Sequence, residues 1–142
     1  MVYIFDENDV FWISFKLRYL IKSKLQYKLN GYDISLDQWI ILSLVYQNEG
    51  CNQKNLAEVS HKDRAVITRI LNKLENNGLI ERKTSYHDKR EFLIYLTDKC
   101  KDLYIKTSAT VSQNAREIKL IFSKSELEQL ESLLNKLSSS LG

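Results

Sequence analysis

The sequence predicts a mainly α-helical domain with one small β-hairpin. Three observations carry this. The chain has no proline and only 4 glycines in 142 residues. Long helices can therefore run unbroken, while a sandwich or barrel of many short strands lacks its turn residues. Apolar residues recur at three- and four-residue spacing over most of the chain, the helical period. One short stretch, residues 91–96, alternates with the period of a strand instead. Apolar residues at 44% and charged residues at 27% are ordinary for a folded chain, and the length suits a single domain.

The elements follow in order. Residues 8–29 predict a long helix, with Val10, Ile13, Leu17, Leu20, Ile21 and Leu25 on one stripe. Phe11, Trp12, Phe15 and Tyr19 widen that face beyond what one neighbour covers, which suggests burial against more than one element, a second subunit included. Asn30-Gly31 ends it. Ser35 and Gln38 form a capping-box pattern that opens a second helix, running to about Gln47, with Trp39, Ile40, Leu42, Leu44 and Val45 inside. Glu49-Gly50 breaks it. Asn52 caps a short third helix holding Leu56, Ala57 and Val59. After a turn at His61-Lys62, Asp63 caps a fourth helix, from about Arg64 to Asn77. Its apolar face is Ile67, Ile70, Leu71 and Leu74; its other face is Arg64, Thr68, Arg69, Asn72 and Lys73. Gly78 stands where a C-terminal glycine is favoured.

Residues 79–84 and 91–96 then predict two short strands around the polar loop 85–90, with Phe92, Ile94 and Leu96 on one side. Thr97 caps a fifth helix, whose face of Leu103, Thr107, Val111, Asn114, Ile118 and Ile121 continues to about Phe122. Ser123 and Glu126 form another capping box. It opens a last helix with Leu127, Leu130, Leu134, Leu137 and Leu141 on one stripe.

Composition excludes several functions. No glycine-rich phosphate loop exists, which argues against a Rossmann or P-loop nucleotide fold. Cys51 and Cys100 are too few for a disulfide scaffold. His61 and His87 lack partners at ligand spacing, so no metal and no cofactor is expected. No nucleophile has a recognisable base context and no paired-carboxylate signature occurs, so no catalytic residue is assigned and no enzyme is expected. The first ten residues lack the basic start and apolar run of a secretory leader, and no apolar stretch spans a membrane. A cytoplasmic protein is the expectation.

Net charge is +3, and its placement is more telling. Residues 52–90 hold nine basic and five acidic side chains, so the middle of the chain carries the whole excess. Such a segment is the electrostatic footprint of nucleic-acid binding. A short helix, a tight turn, a second helix and a basic hairpin make a winged helix-turn-helix layout. The major groove of B-form DNA admits one α-helix with polar or basic side chains on its exposed face. A hairpin beside it lays an arginine into the neighbouring minor groove. Arg90 is the candidate.

Ser35-Leu-Asp-Gln38-Trp39, Asn55-Leu-Ala57, Val66-Ile-Thr-Arg69, Leu74-Glu75, Asn77-Gly78-Leu79-Ile80-Glu81-Arg82, Asp88-Lys-Arg90 and Leu96-Thr97 stand in this order across about residues 34–104. In these residues the sequence resembles the multiple-antibiotic-resistance regulator (MarR) family of bacterial transcription factors. The resemblance implies a homodimer. Residues 1–34 and 98–142 would form interlocking dimerisation helices, and residues 35–97 a winged helix-turn-helix lobe that binds double-stranded DNA. A two-fold dimer reads half-sites about 34–36 Å apart, hence a pseudo-palindromic operator. The resemblance further implies that Arg64, Ala65, Thr68 and Arg69 approach bases and phosphates, with Lys73 on phosphate. Asp88, Lys89 and Arg90 would form the wing, Arg90 entering the minor groove and Asp88 pairing with a nearby arginine. Ala65 and Val66 depart from the Ser and Thr that relatives carry, and contact with a thymine methyl is the substitute. Cys100 stands at the usual glycine of the segment after Leu96-Thr97.

The expected function is a sequence-specific DNA-binding regulator, a repressor by blocking polymerase, released by a small-molecule effector. Phe11, Trp12, Phe15 and Tyr19 would line the effector pocket, as in relatives that bind phenolic compounds; core packing and dimer contact account for them equally. For Lys54, Lys62, Lys83 and Lys89, solvated surface and phosphate contact weigh equally. Arg82 has a structural alternative, a tie to Asp88. Two alternatives stand beside the main reading. One is a redox-responsive regulator using Cys51 or Cys100, Cys51 lying near a helix start that would lower its pKa. The other is a winged-helix protein–protein interaction module without DNA binding.

Overall fold

The computed structural model describes residues 6–142. Met1–Phe5, on which the leader reading partly rests, lie outside the described residues. Helix α1 spans Val10–Leu29, and the Asp9 carboxylate caps it by accepting the Phe11 N–H at 2.8 Å. A 3-10 turn over Asn30–Tyr32 and a left-handed Asp33 (φ 51°) reverse the chain. The capping box before α2, Leu36–Gln47, forms as its residue types require. Ser35 Oγ accepts the Gln38 N–H at 3.1 Å, and Gln38 Oε1 accepts the Ser35 N–H at 3.0 Å. Ile41, Leu42 and Val45 are its most buried apolar residues, while Trp39, Ile40 and Leu44 are half-buried.

Asn52 caps α3, Gln53–Ser60, in a reciprocal arrangement with Asn55. Leu56 is buried there, whereas Val59, expected inside with it, is 61% exposed. His61, left-handed at φ 54°, makes the turn into α4, Arg64–Asn76. Asp63 occupies the position before α4, yet its side chain makes no capping bond. All four expected core positions of α4, Ile67, Ile70, Leu71 and Leu74, are buried. Gly78 at φ 70° then supplies the left-handed residue that stops α4.

The hairpin is Ile80–Thr84 and Phe92–Leu96, in register Ile80↔Leu96, Arg82↔Ile94 and Thr84↔Phe92. A two-residue strand, Cys51–Asn52, pairs antiparallel with the outer edge of the second hairpin strand and was not expected. In chain order these are β2, β3 and β1, and the sheet runs β1-β3-β2. Gly50, at φ 83°, lets the chain turn into β1, and its N–H bonds to the Ile94 carbonyl at 2.9 Å. Ile94 and Leu96 are buried as alternation requires; Phe92 is 52% exposed because the hairpin has by then left the core.

Thr97 caps α5, Asp98–Lys119, accepting the Cys100 N–H, and its hydroxyl donates to the Gly78 carbonyl at 2.7 Å. The Ser123/Glu126 box opens α6, Lys124–Leu141, in which no residue is buried. The core thus lies among α2, α3, α4, the sheet and the start of α5, while α1 and α6 present wide apolar faces to solvent. No described helix is long and apolar enough to cross a membrane. The architecture is a winged helix-turn-helix flanked by long helices.

Candidate nucleic-acid interface

The exposed face of α4 begins where its buried face ends, a consequence of the helical period. Arg64, Ala65, Arg69 and Lys73 are exposed along it. Among the described residues none of these three cations is in an ion pair. Thr68 behaves differently. Its hydroxyl donates to the Arg64 carbonyl at 2.9 Å and accepts from Gln53 Nε2, which also reaches the Arg64 carbonyl at 3.3 Å. Gln53 therefore fixes the start of α3 against the first turn of α4, and the Thr68 hydroxyl is already committed to that joint. Sequence reasoning missed Gln53, since its partners lie eleven and fifteen residues away.

The wing is closed by backbone bonds rather than by side-chain ion pairs. The Asp88 carboxylate accepts the Arg90 N–H at 2.9 Å, an Asx turn. Among the described residues Asp88 makes no ion pair with an arginine; its exposed carboxylate accepts this amide instead. Ser85, buried at the root of the loop, accepts the His87 and Asp88 N–H groups on Oγ. Ser85 N–H bonds to the Glu91 carbonyl at 2.9 Å, closing the base. Lys89 and Arg90 are left exposed and without ion pairs among the described residues. Tyr86, not singled out by the sequence, is 95% exposed at the tip and meets His87 edge-on.

Arg82 is tied elsewhere than to Asp88. Its guanidinium donates to Glu75 at 3.0 Å and to Asn72 at 2.9 Å, with its side chain only 17% exposed. It clamps β2 to the last turns of α4. Asn52 Nδ2 donates to Glu91 and fastens the other side of the wing to the start of α3. Of the four equivocal lysines, Lys62 is held by Asp37 at 3.1 Å, and Lys83 sits over the Tyr95 ring at 4.8 Å. Lys54 and Lys89 stay solvated.

Phe11, Trp12, Phe15 and Tyr19 do not line a concavity of the single chain. They are between 47% and 70% exposed on one face of α1 in the single chain. The aromatic packing between lobe and flank is made instead by Trp39 and Tyr46, both stacked on Tyr104. Among the described residues no His, Cys, Asp and Glu cluster is placed to hold a metal ion.

The thiols are not activated. Burial pushes Cys51 upward, and its backbone hydrogen bond does not offset this, which reverses the expected lowering by a helix start. Cys100 is wholly buried; burial and the nearby Glu49 charge push it up to about 11. A sensing cysteine needs the thiolate and access. Hydrogen peroxide should therefore leave duplex binding of the protein unchanged, as should replacing both cysteines by Ser. A peroxide response lost in the Cys51→Ser, Cys100→Ser variant would restore the redox reading.

Comparison with known proteins agrees with this geometry. Residues 34–92 match the model of the MarR family. Among solved structures, MepR of S. aureus in complex with DNA is 25% identical, over 97% of this chain and 100% of that one, with a TM-score of 0.89. The apo form of MarR from E. coli is 24% identical over 91% of this chain and 96% of that one, with a TM-score of 0.77. CouR, a transcriptional repressor bound to a 23-mer DNA duplex, shares the fold at 18% identity, over 96% of this chain and 99% of that one, with a TM-score of 0.85.

Proposed function

We propose that this chain, whose winged helix over residues 34–92 belongs to the MarR family, is a transcriptional regulator that binds a pseudo-palindromic operator as a homodimer. The observation that carries the reading is the row of exposed cations, Arg64, Arg69 and Lys73, on the outer face of α4, beside a wing that exposes Lys89 and Arg90, none of the five in an ion pair among the described residues. A helix with this face fits the major groove, and the wing reaches the adjacent minor groove and backbone. Ala65 offers a methyl to thymine. Thr68 takes part through the α3–α4 joint, with its hydroxyl held by Gln53. The solved MepR–DNA complex, matched over nearly all of this chain, supports the same use of the fold.

The dimer is supported by apolar surface that one chain leaves open. Leu17, Leu20 and Ile21 of α1 are 42–49% exposed, and Leu134 and Leu137 of α6 are 51% and 38% exposed. Residues 6–34 and 98–142 serve as the dimer arm, and Phe11, Trp12, Phe15 and Tyr19 are covered by the second chain, which also completes any effector pocket they line. Two lobes related by a two-fold axis present their α4 helices about one DNA turn apart. Bound at a promoter, the dimer blocks polymerase. An effector that favours another separation of the helices releases it.

Selection of duplexes from a random or genomic pool tests this. The account expects a recovered site with two-fold symmetry. Affinity for it should fall with salt, with a log–log slope of about −0.9 per phosphate neutralised. No affinity for any duplex at low salt would favour the protein-interaction module instead.

A further inference from the structure

Asp37, in the first turn of α2, reaches two distant parts of the chain with its two carboxylate oxygens. Oδ2 lies 3.4 Å from Lys22 Nζ on α1, and Oδ1 lies 3.1 Å from Lys62 Nζ in the turn between α3 and α4. The Lys62 side chain is only 23% exposed, so it lies along the lobe rather than out in solvent. The next residue, Asp63, immediately precedes α4. Burial alone would raise the pKa of Asp37, but the hydrogen bond and charge of Lys62, with those of Lys22, outweigh it and hold the carboxyl below its ordinary value. The Asp37 carboxylate is charged at neutral pH.

Among the described residues, the other hydrogen bonds and ion pairs between lobe and flank do not involve the α3–α4 turn. Trp39 Nε1 donates to Thr107 at 2.9 Å, and Lys101 of α5 pairs with Glu49 at 3.4 Å. On the α1 side, the Gln26 carboxamide accepts the Leu36 N–H at 2.8 Å and so holds only the start of α2. Asp37 alone among these links α1 to the turn that launches the recognition helix.

We propose that Asp37 is a positioning residue that fixes the angle between α4 and the α1 arm and thereby sets the half-site spacing the protein accepts. The inference rests on the dimeric DNA-binding reading for its consequence, but not for the joint itself. In a two-fold dimer any swing of one lobe is repeated by the other, so the joint governs the distance between the two α4 helices. Without the carboxylate charge, Lys22 and Lys62 face each other as like charges, which drives arm and turn apart.

Two measurements test this together. The first is the spin–spin distance between labels carried on unnatural amino acids at Arg18 and Lys73, in doubly labelled chains diluted with unlabelled ones. Wild type should give one narrow distribution. Asp37→Asn and Lys22→Gln should widen or shift it, and Asp37→Glu, which keeps the charge, should restore much of it. Unfolding temperature should change little, because partly exposed ion pairs contribute little to global stability. The second measurement is affinity for the selected operator with one or two base pairs added between half-sites. Wild type should lose about tenfold; Asp37→Asn should tolerate the insertions. Identical distance distributions in wild type and Asp37→Asn overturn the inference, as does a widened distribution with unchanged spacing preference. A wild type that binds no duplex, with the distribution still widened in Asp37→Asn, removes the DNA reading and leaves the joint standing.

Discussion

Replacing Leu130 and Leu134 by Glu should split the proposed dimer into folded monomers and weaken operator binding by about 10²–10⁴-fold, the advantage that bivalent engagement confers. Both leucines lie on one stripe of α6 and are 36% and 51% exposed in the single chain. Burying a leucine contributes roughly 1.5–3 kcal/mol, so a face that repeats them in two chains is a strong adhesive. A carboxylate there removes that gain and adds the cost of dehydrating a charge. The lobe does not depend on this helix, since no residue of α6 is buried and the core lies elsewhere. Thermal unfolding of the lobe and helical content should therefore persist while sedimentation reports half the mass. A variant that remains dimeric with full operator affinity would place the interface on another face.

Arg90→Ala should weaken operator binding by about 1–3 kcal/mol, or about 5–150-fold, and leave the dimer intact. Arg90 contributes to the wing's shape only through its backbone N–H, which Asp88 accepts at 2.9 Å. Alanine keeps that bond, so the substitution removes the guanidinium and little else. The loss should be greatest on sites whose flanks have a narrow, A·T-rich minor groove, and smaller on G·C-rich flanks. Fluorescence anisotropy against both kinds of duplex measures the difference. Equal affinity of variant and wild type on A·T-rich flanks would remove the wing from recognition.

Local rules made much of this molecule legible in advance. The Ser35/Gln38 and Ser123/Glu126 boxes form as their side chains dictate, because each bond spans three residues. The buried face of α4 and the alternation of Ile94 and Leu96 follow from period alone. The exposed basic face of α4 is then simply the remainder. What the sequence left hidden depends on partners far along the chain. A two-residue strand such as β1 has no period to read, and exists because Gly50 turns the chain onto Ile94 and Leu93. Thr68 looks like a free hydroxyl until Gln53 is folded against it. Asp88 looks like an arginine partner until the loop brings an amide to its carboxylate. Cys51 looks activated by a helix start, yet partial burial has the larger effect on its thiol. Asp37 reads as an ordinary first-turn acid, and only the tertiary structure sets Lys22 and Lys62 on either side of it.

The most direct test of the account is the mass of the protein, free and on its selected operator, by sedimentation or light scattering. The account predicts twice the 16.7 kDa of one chain in both states, with two chains on each duplex. A single 16.7 kDa chain in solution that stays single on the duplex would contradict it.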